Sequence, residues 1–262
     1  MKIDFKNINI SSMEKIFSKC TSKDRLDIIN IDTSKVRDMH NLFLVHRKLK
    51  TLDLSGFDTS KVETMENMFN ECTAIESLDL SMFNTGQVKN MSSMFLMCLT
   101  LERLDLSMFN THNVRTMYSM FFQCSKLKEL NLSNFDTSNV VNMESMFESC
   151  SSLTELNVSS FDTSSVTNMY GMFSGCSGLK QLDLSNFDTS RTGVMRCMFI
   201  NCSSLRKLDI SNFSIVEADE SGMICMFDGC DSLEEIHLPS EQSSRRLLIR
   251  QLDMAGIHCK IV

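Results

Sequence analysis

The sequence predicts an α/β solenoid, a chain that winds into nine similar coils of 26 residues. Each 26-residue unit carries apolar residues at helical spacing, followed by a short alternating stretch typical of a strand. The same residue types return in register from unit to unit, so stacked units would share one continuous core. A phenylalanine, replaced once by isoleucine, begins each unit at positions 5, 31, 57, 83, 109, 135, 161, 187 and 213.

The unit at 135–160 shows the elements. Asp136 and Thr137 are residue types that begin helices. Five apolar residues follow at spacings of three and four: Val140, Met143, Met146, Phe147 and Cys150. This spacing predicts a short helix with one buried face, and the Leu-Asn-Val alternation at 156–158 predicts a strand. Parallel pairing of the strands would place a sheet on one face of the solenoid and the short helices on the other.

The repeat pattern, LxxLDLSxFDTSxVxxMxxMFxxC, resembles the BspA-like leucine-rich-repeat family, in particular its 26-residue mycoplasma-lipoprotein-type form. The resemblance covers about residues 5–240. It implies a leucine-rich-repeat-like solenoid and a surface, adhesion or interaction protein. The motif is specific for the repeat type, because it recurs in register nine times, but it does not specify a ligand.

The chain is predicted to have two parts, a solenoid at 1–240 and a helix–strand cap at 241–262. Leu247, Leu248 and Leu252 form an apolar stripe, with Ser243 or Ser244 as the expected helix cap. This segment would cover the open end of the core. The alternative is a helix lying on a membrane surface, since the segment also carries three arginines.

Composition limits the function classes. The net charge of −7 argues against a nucleic-acid partner, and no apolar run approaches the 18 residues of a membrane span. The N-terminus lacks the apolar core of a signal peptide and no anchor motif closes the chain, so the default expectation is a cytoplasmic protein. The family that the repeats resemble is, by contrast, often found at the cell surface.

Eight of the eleven cysteines form one column, in which His46 takes the second place. We expect buried, reduced thiols in this column, because a chain of this size does not need disulfides; disulfide staples are the alternative. Cys197 and Cys225 share a different, mostly polar position on neighbouring coils. Exposed thiols there could react or bind metal, but packed helices would hold them too far apart for a disulfide.

Two groups of polar residues are candidates for function. Residues 1–50 carry a net charge of +5, against −12 for the remainder. The basic residues of coil two are predicted to bind an acidic partner: Lys35, Arg37, His40, His46, Arg47, Lys48 and Lys50. The strand face is predicted to carry an aspartate ladder: Asp53, Asp79, Asp105, Asp183 and Asp209. Either solvation by water and hydroxyl groups or a bound cation would offset the repulsion within this ladder.

No residue pattern supports catalysis: the five histidines are scattered, and no phosphate-binding loop or nucleophile–base pair is visible. We therefore predict a non-enzymatic protein without cofactors or metal, which binds a protein partner through its solenoid surface. The alternative is a structural protein that self-associates through its regular faces.

Overall fold

The computed structural model describes residues 1–6, 13, 16–218 and 220–262. These residues form a parallel β-solenoid of about ten coils, spaced about 26 residues apart. The predicted solenoid with a parallel sheet on one face is therefore confirmed. Much of the first half of predicted coil one, at 7–12 and 14–15, lies outside the described residues.

The strand face consists of short parallel strands in three sheets. The first contains β1 (Lys2–Asp4), β2 (Arg25–Ile29) and β3 (Thr51–Leu52), and the second contains β4 (Arg103–Asp105) and β5 (Glu129–Asn131). The third contains β6 (Gln181–Asp183), β7 (Lys207–Asp209), β8 (Glu235–His237) and β9 (Lys260–Ile261). Within each sheet, every strand pairs with the next in register, as Leu104 does with Leu130 and Leu182 with Leu208.

The short helices predicted on the opposite face are wrong: that face consists of consecutive turns. In coil six, the N–H groups of Met143, Ser145 and Phe147 donate to carbonyls of the next coil at 2.7–3.0 Å. The intervening Met146 and Glu148 instead donate three residues back within the turn. An α-helix would direct all of these bonds four residues back along its own chain.

Left-handed backbone at two positions of each coil from the second to the ninth separates these turns from a helix. In coil six, φ is +54° at Ser145 and +61° at Ser149. Coil seven places Gly171 and Gly175 at the equivalent positions. A helix cannot contain such residues, yet the turns preserve the spacing of three and four that brings the apolar side chains to one side.

The core lies between the two faces and is built from columns of identical side chains. The phenylalanines of the turn face stack with ring centroids 5.0–5.8 Å apart. The column cysteines are buried as free thiols, and each described one from Cys72 onward donates to a phenylalanine carbonyl of the preceding coil. Burial raises the pKa of Cys124 to about 12, so these thiols are poor nucleophiles.

Chain 241–262 contains the single α-helix of the described residues, α1 (Gln242–Met254), followed by β9. Glu241 caps α1 rather than Ser243 or Ser244, because its carboxylate accepts the N–H groups of both serines. Leu248 and Leu252 are buried against the solenoid, and Ser244 Oγ accepts the N–H of Ile215. With 13 residues, α1 is too short to cross a bilayer, and the described part of the chain contains no longer helix.

In coils two to eight, the threonine two residues after the start of the coil links neighbouring coils through its side chain. Thr111 is fully buried; its Oγ1 accepts the N–H of Asp136 and donates to the Asp136 carbonyl, both at 2.8 Å. The same donation recurs at Thr33, Thr59, Thr85, Thr137, Thr163 and Thr189. This column therefore satisfies backbone groups between coils instead of presenting hydroxyls to solvent.

Replacing Thr111 with valine should lower the free energy of unfolding by about 1–3 kcal/mol, because a buried N–H and a buried carbonyl lose their partner without a change of shape. Thr111→Ser is the matched control, since serine retains the hydroxyl. Urea unfolding followed by fluorescence or circular dichroism measures both variants. A valine variant as stable as the original protein would contradict the bridging role.

Candidate functional site

The strand face presents two outward columns that flank each buried leucine. On β4, Arg103 and Asp105 are exposed on either side of Leu104, which is 3% exposed. Their register partners on β5 are Glu129 and Asn131. The strand face therefore exposes polar side chains, and the inward leucines of the core lie beneath them.

The aspartate ladder occupies one of these columns and has a structural role. Each of Asp53, Asp79, Asp105, Asp183 and Asp209 accepts the backbone N–H of the serine two residues later, at 2.9–3.0 Å. This bond lowers the pKa of Asp105 below its usual value, aided by the Ser107 hydroxyl. In coils five and six, Asn131 and Asn157 accept the same bond. An amide thus replaces the carboxylate, which indicates that the column terminates strands.

The second column varies from coil to coil, and the sequence analysis did not single it out. It lies directly before the inward leucine or isoleucine of each coil and holds Arg25, Thr51, Ser77, Arg103, Glu129, Glu155, Gln181, Lys207, Glu235 and Lys260. Opposite charges on neighbouring coils pair along this edge, with Arg103 3.2 Å from Glu129 and Lys260 2.8 Å from Glu235. The sequence does contain a signal for this column: its charge changes from one repeat to the next, whereas most positions of the repeat keep their residue type.

A depression of about 450 Å³ lies on the strand face between coils six and nine. Its polar lining includes four carboxylates, one lysine and one histidine: Glu155, Asp183, Asp209, Glu235, Lys207 and His237. His237 lies 3.5 Å from Asp209 and 3.2 Å from Glu235. The pKa of Glu235 is lowered to about 2, chiefly by its hydrogen bond with Lys260 and then by His237. At neutral pH this depression is therefore negatively charged.

Comparison with known proteins assigns the chain to a family. A family model described as "Mycoplasma protein of unknown function, DUF285" matches residues 11–131 and again 117–238. The chain belongs to this family. The finer assignment to the BspA-like family stays a prediction.

Neither of the other comparisons assigns a function to this DUF285 chain. No curated protein matches it. The chain is similar to a solved structure titled "Crystal structure of TLR13-ssRNA13 complex", with 12% identity and a TM-score of 0.28. That match covers 96% of this chain and 34% of the other, so this chain spans about a third of that protein's length.

In the DUF285 solenoid, most basic residues of coil two are paired within the molecule. Arg37 bonds Glu63 at 2.7 Å, Arg47 pairs with Glu71, and Lys50 lies 3.9 Å from Glu76. His40 lies 2.7 Å from Asp38 of its own coil. Lys35 and Lys48 are exposed. Glutamates of coil three thus neutralise much of the positive charge that was predicted to attract an acidic partner.

His46 does not belong to this surface, because its ring is buried. It is 1% exposed, and its Nε2 lies 3.1 Å from the Phe17 carbonyl. Cys72 Sγ makes the equivalent contact with the Phe43 carbonyl one coil later. The histidine therefore takes the place of the column cysteine in the core, and its inclusion in the predicted partner surface is corrected.

Asp105→Ala should lower the free energy of unfolding by about 1 kcal/mol, because the turn loses the acceptor for the Ser107 N–H. Asp105→Asn should leave stability nearly unchanged, since Asn131 and Asn157 make the same bond. Urea unfolding with and without added Ca²⁺ measures both effects. An asparagine variant as unstable as the alanine variant, or stabilisation by Ca²⁺ that Asp105→Asn removes, would contradict the strand-terminating role.

Proposed function

We propose that this chain is a non-enzymatic protein-binding repeat protein that engages a protein partner with its strand face. Solenoids present extended regular surfaces, and binding is the usual role of such surfaces. The resemblance to BspA-like repeats supports an adhesion-type role within this proposal.

The main support for the proposal is that the second outward column of the strand face varies from coil to coil, whereas the core residues next to it do not. A partner can be recognised only through side chains that differ along the solenoid, because a uniform ladder repeats one chemistry. From Arg103 to Lys260 this column changes between cationic, anionic and neutral residues, while the next residue in every coil is leucine or isoleucine. The strands hold the backbone of this column at fixed spacing, so little backbone conformational entropy is lost on binding.

The charge of the strand face suggests the chemistry of the partner. Around the depression of coils six to nine, Glu155, Asp183, Asp209 and Glu235 surround Lys207. A partner that docks there would present lysine or arginine side chains, and complementary charge would speed its association at low salt. The basic residues of coil two remain a second proposed contact, through the exposed Lys35 and Lys48, for an acidic segment of a partner.

The test inverts the charge pattern of the strand face without changing the net charge. The double variant Glu155→Lys with Lys207→Glu keeps the net charge of the chain, and we expect it to lose at least ~10-fold in affinity for a strand-face partner, since like charges would then face each other. Binding proteins are captured with the original chain, identified by mass spectrometry, purified, and measured by calorimetry against both forms.

The matched control is Arg115→Glu with Glu217→Lys, which makes an equivalent exchange between exposed residues outside the strands. A genuine strand-face partner binds this control normally and the strand-face variant weakly. Partners that bind both variants as well as the original chain, in spite of unchanged folding, would contradict the proposal.

Self-assembly is the second candidate function, and the two ends of the solenoid favour it. In the described part of the chain, β1 pairs only with β2 and β9 only with β8, so each end presents an open strand edge. End-to-end pairing would produce filaments rather than closed oligomers. Sedimentation velocity over a concentration series separates the candidates: a binding protein stays monomeric, whereas an assembling protein grows.

A further inference from the structure

Cys197 and Cys225 occupy the same position on neighbouring coils and are direct neighbours in the backbone ladder. The Cys197 N–H donates to the Ile224 carbonyl at 3.0 Å, which makes the two cysteines register partners. Register partners in such a ladder lie about 4.8 Å apart. The spacing of packed helices, 8–10 Å, was expected here and is wrong, because this face contains turns instead of helices.

The two thiols project in the same direction. Both residues have φ of +58°, so equal backbone geometry places both side chains on the same side of the ladder. Cys197 Sγ lies 3.9 Å from the Ile224 carbonyl, next to the peptide of Cys225. Both cysteines are partly exposed, whereas the eight column cysteines are buried. A soluble ligand can therefore reach this pair without opening the core.

The backbone does not account for cysteine at this position. A left-handed conformation favours glycine and asparagine, which stand here as Asn41, Asn67 and Gly171. Serine holds the position in three central coils, where Ser145 donates to Glu148 at 2.6 Å. Cysteines at this position in two successive coils therefore supply thiol groups that neither the turn conformation nor its hydrogen bonds require.

The surroundings of the pair are polar. The hydrogen bond with Asp228, and then burial and the charges of Asp228 and Cys197, raise the pKa of Cys225. The charge of Cys197 is the main cause of the raised pKa of Tyr170, followed by burial, a hydrogen bond with Cys197 and the charge of Glu148, whereas Arg196 opposes the rise. These shared effects place the two sulfurs, the Tyr170 hydroxyl and the Asp228 carboxylate in one small region of the surface.

The spacing favours a bridging metal ion over a disulfide. A Cα separation of about 4.8 Å is compatible with a disulfide, but side chains that project in parallel keep their β-carbons at the same separation, beyond the roughly 3.5–4.5 Å that a disulfide needs. A metal ion with metal–sulfur bonds of about 2.3 Å spans two sulfurs up to about 4.6 Å apart. Soft thiolates select soft ions such as Cu(I).

We propose that Cys197 and Cys225 form a two-thiolate site for a soft monovalent metal ion of the Cu(I) class. Binding replaces the two thiol protons, which leave to solvent, with two metal–sulfur bonds, and no electron is transferred. The ladder holds both sulfurs in place beforehand, so the second bond forms at high effective concentration.

Anaerobic titration of the reduced full-length chain with Cu(I), in competition with a coloured Cu(I) chelator, tests the proposal. We expect one tightly bound ion per chain, verified by native mass spectrometry. Cys197→Ser and Cys225→Ser should each weaken this site by on the order of 100-fold, because either change removes the chelate. Serine is the natural residue at this position in other coils, so both variants should keep the melting temperature of the original chain.

Cys259→Ser is the matched control, because Cys259 is also partly exposed but lies outside this ladder. It should bind Cu(I) as the original chain does. Three results would overturn the proposal: no tight equivalent in the original chain, undiminished binding in either single serine variant, or loss of binding in Cys259→Ser. Rapid formation of a Cys197–Cys225 disulfide with oxidised glutathione would also contradict it, because the two β-carbons would then lie closer together than parallel side chains allow.

Discussion

The backbone hydrogen bonds between successive coils are the constraint on which the whole structure depends. On the turn face, alternate N–H groups donate to the next coil, as Ser145 does to Tyr170 and Phe147 to Met172. On the other face, strands such as β6, β7 and β8 pair in register. Both faces therefore advance by the spacing of a parallel sheet, about 4.8 Å per coil. Through the central coils each side chain consequently lies over its counterpart 26 residues away.

This spacing determines which residues the repeat tolerates. Phenylalanine stacks on phenylalanine, and threonine bridges to the next backbone, because both interactions improve when identical residues lie in register. Identical charges would repel at this distance, and several exposed columns alternate in sign instead. Glu63 lies between Arg37 and Lys89 and bonds each at 2.7 Å. The exposed columns are therefore where the sequence is free to vary, and there the proposed partner surface and the Cys197–Cys225 pair are found.

The sequence alone predicts the solenoid, its period and its core columns, because each of these follows from repetition. It does not predict the turn face, since turns with left-handed residues at Ser145 and Ser149 reproduce the apolar spacing of a helix. Helix propensity does not exclude a helix here, because serine is only moderately unfavourable in helices. The burial of His46 could have been inferred from its place in the cysteine column. The pairing of Arg47 with Glu71 could not, because it depends on the side-chain directions of two coils.

The most direct test of this account is a solution NMR experiment that detects scalar coupling across hydrogen bonds in the deuterated chain. The stacked turns predict a correlation between the Phe147 amide nitrogen and the carbonyl carbon of Met172, in the next coil. A helix on this face would instead connect Phe147 to the carbonyl carbon of Met143, four residues back. The first correlation would establish the ladder between coils, and the second would contradict it.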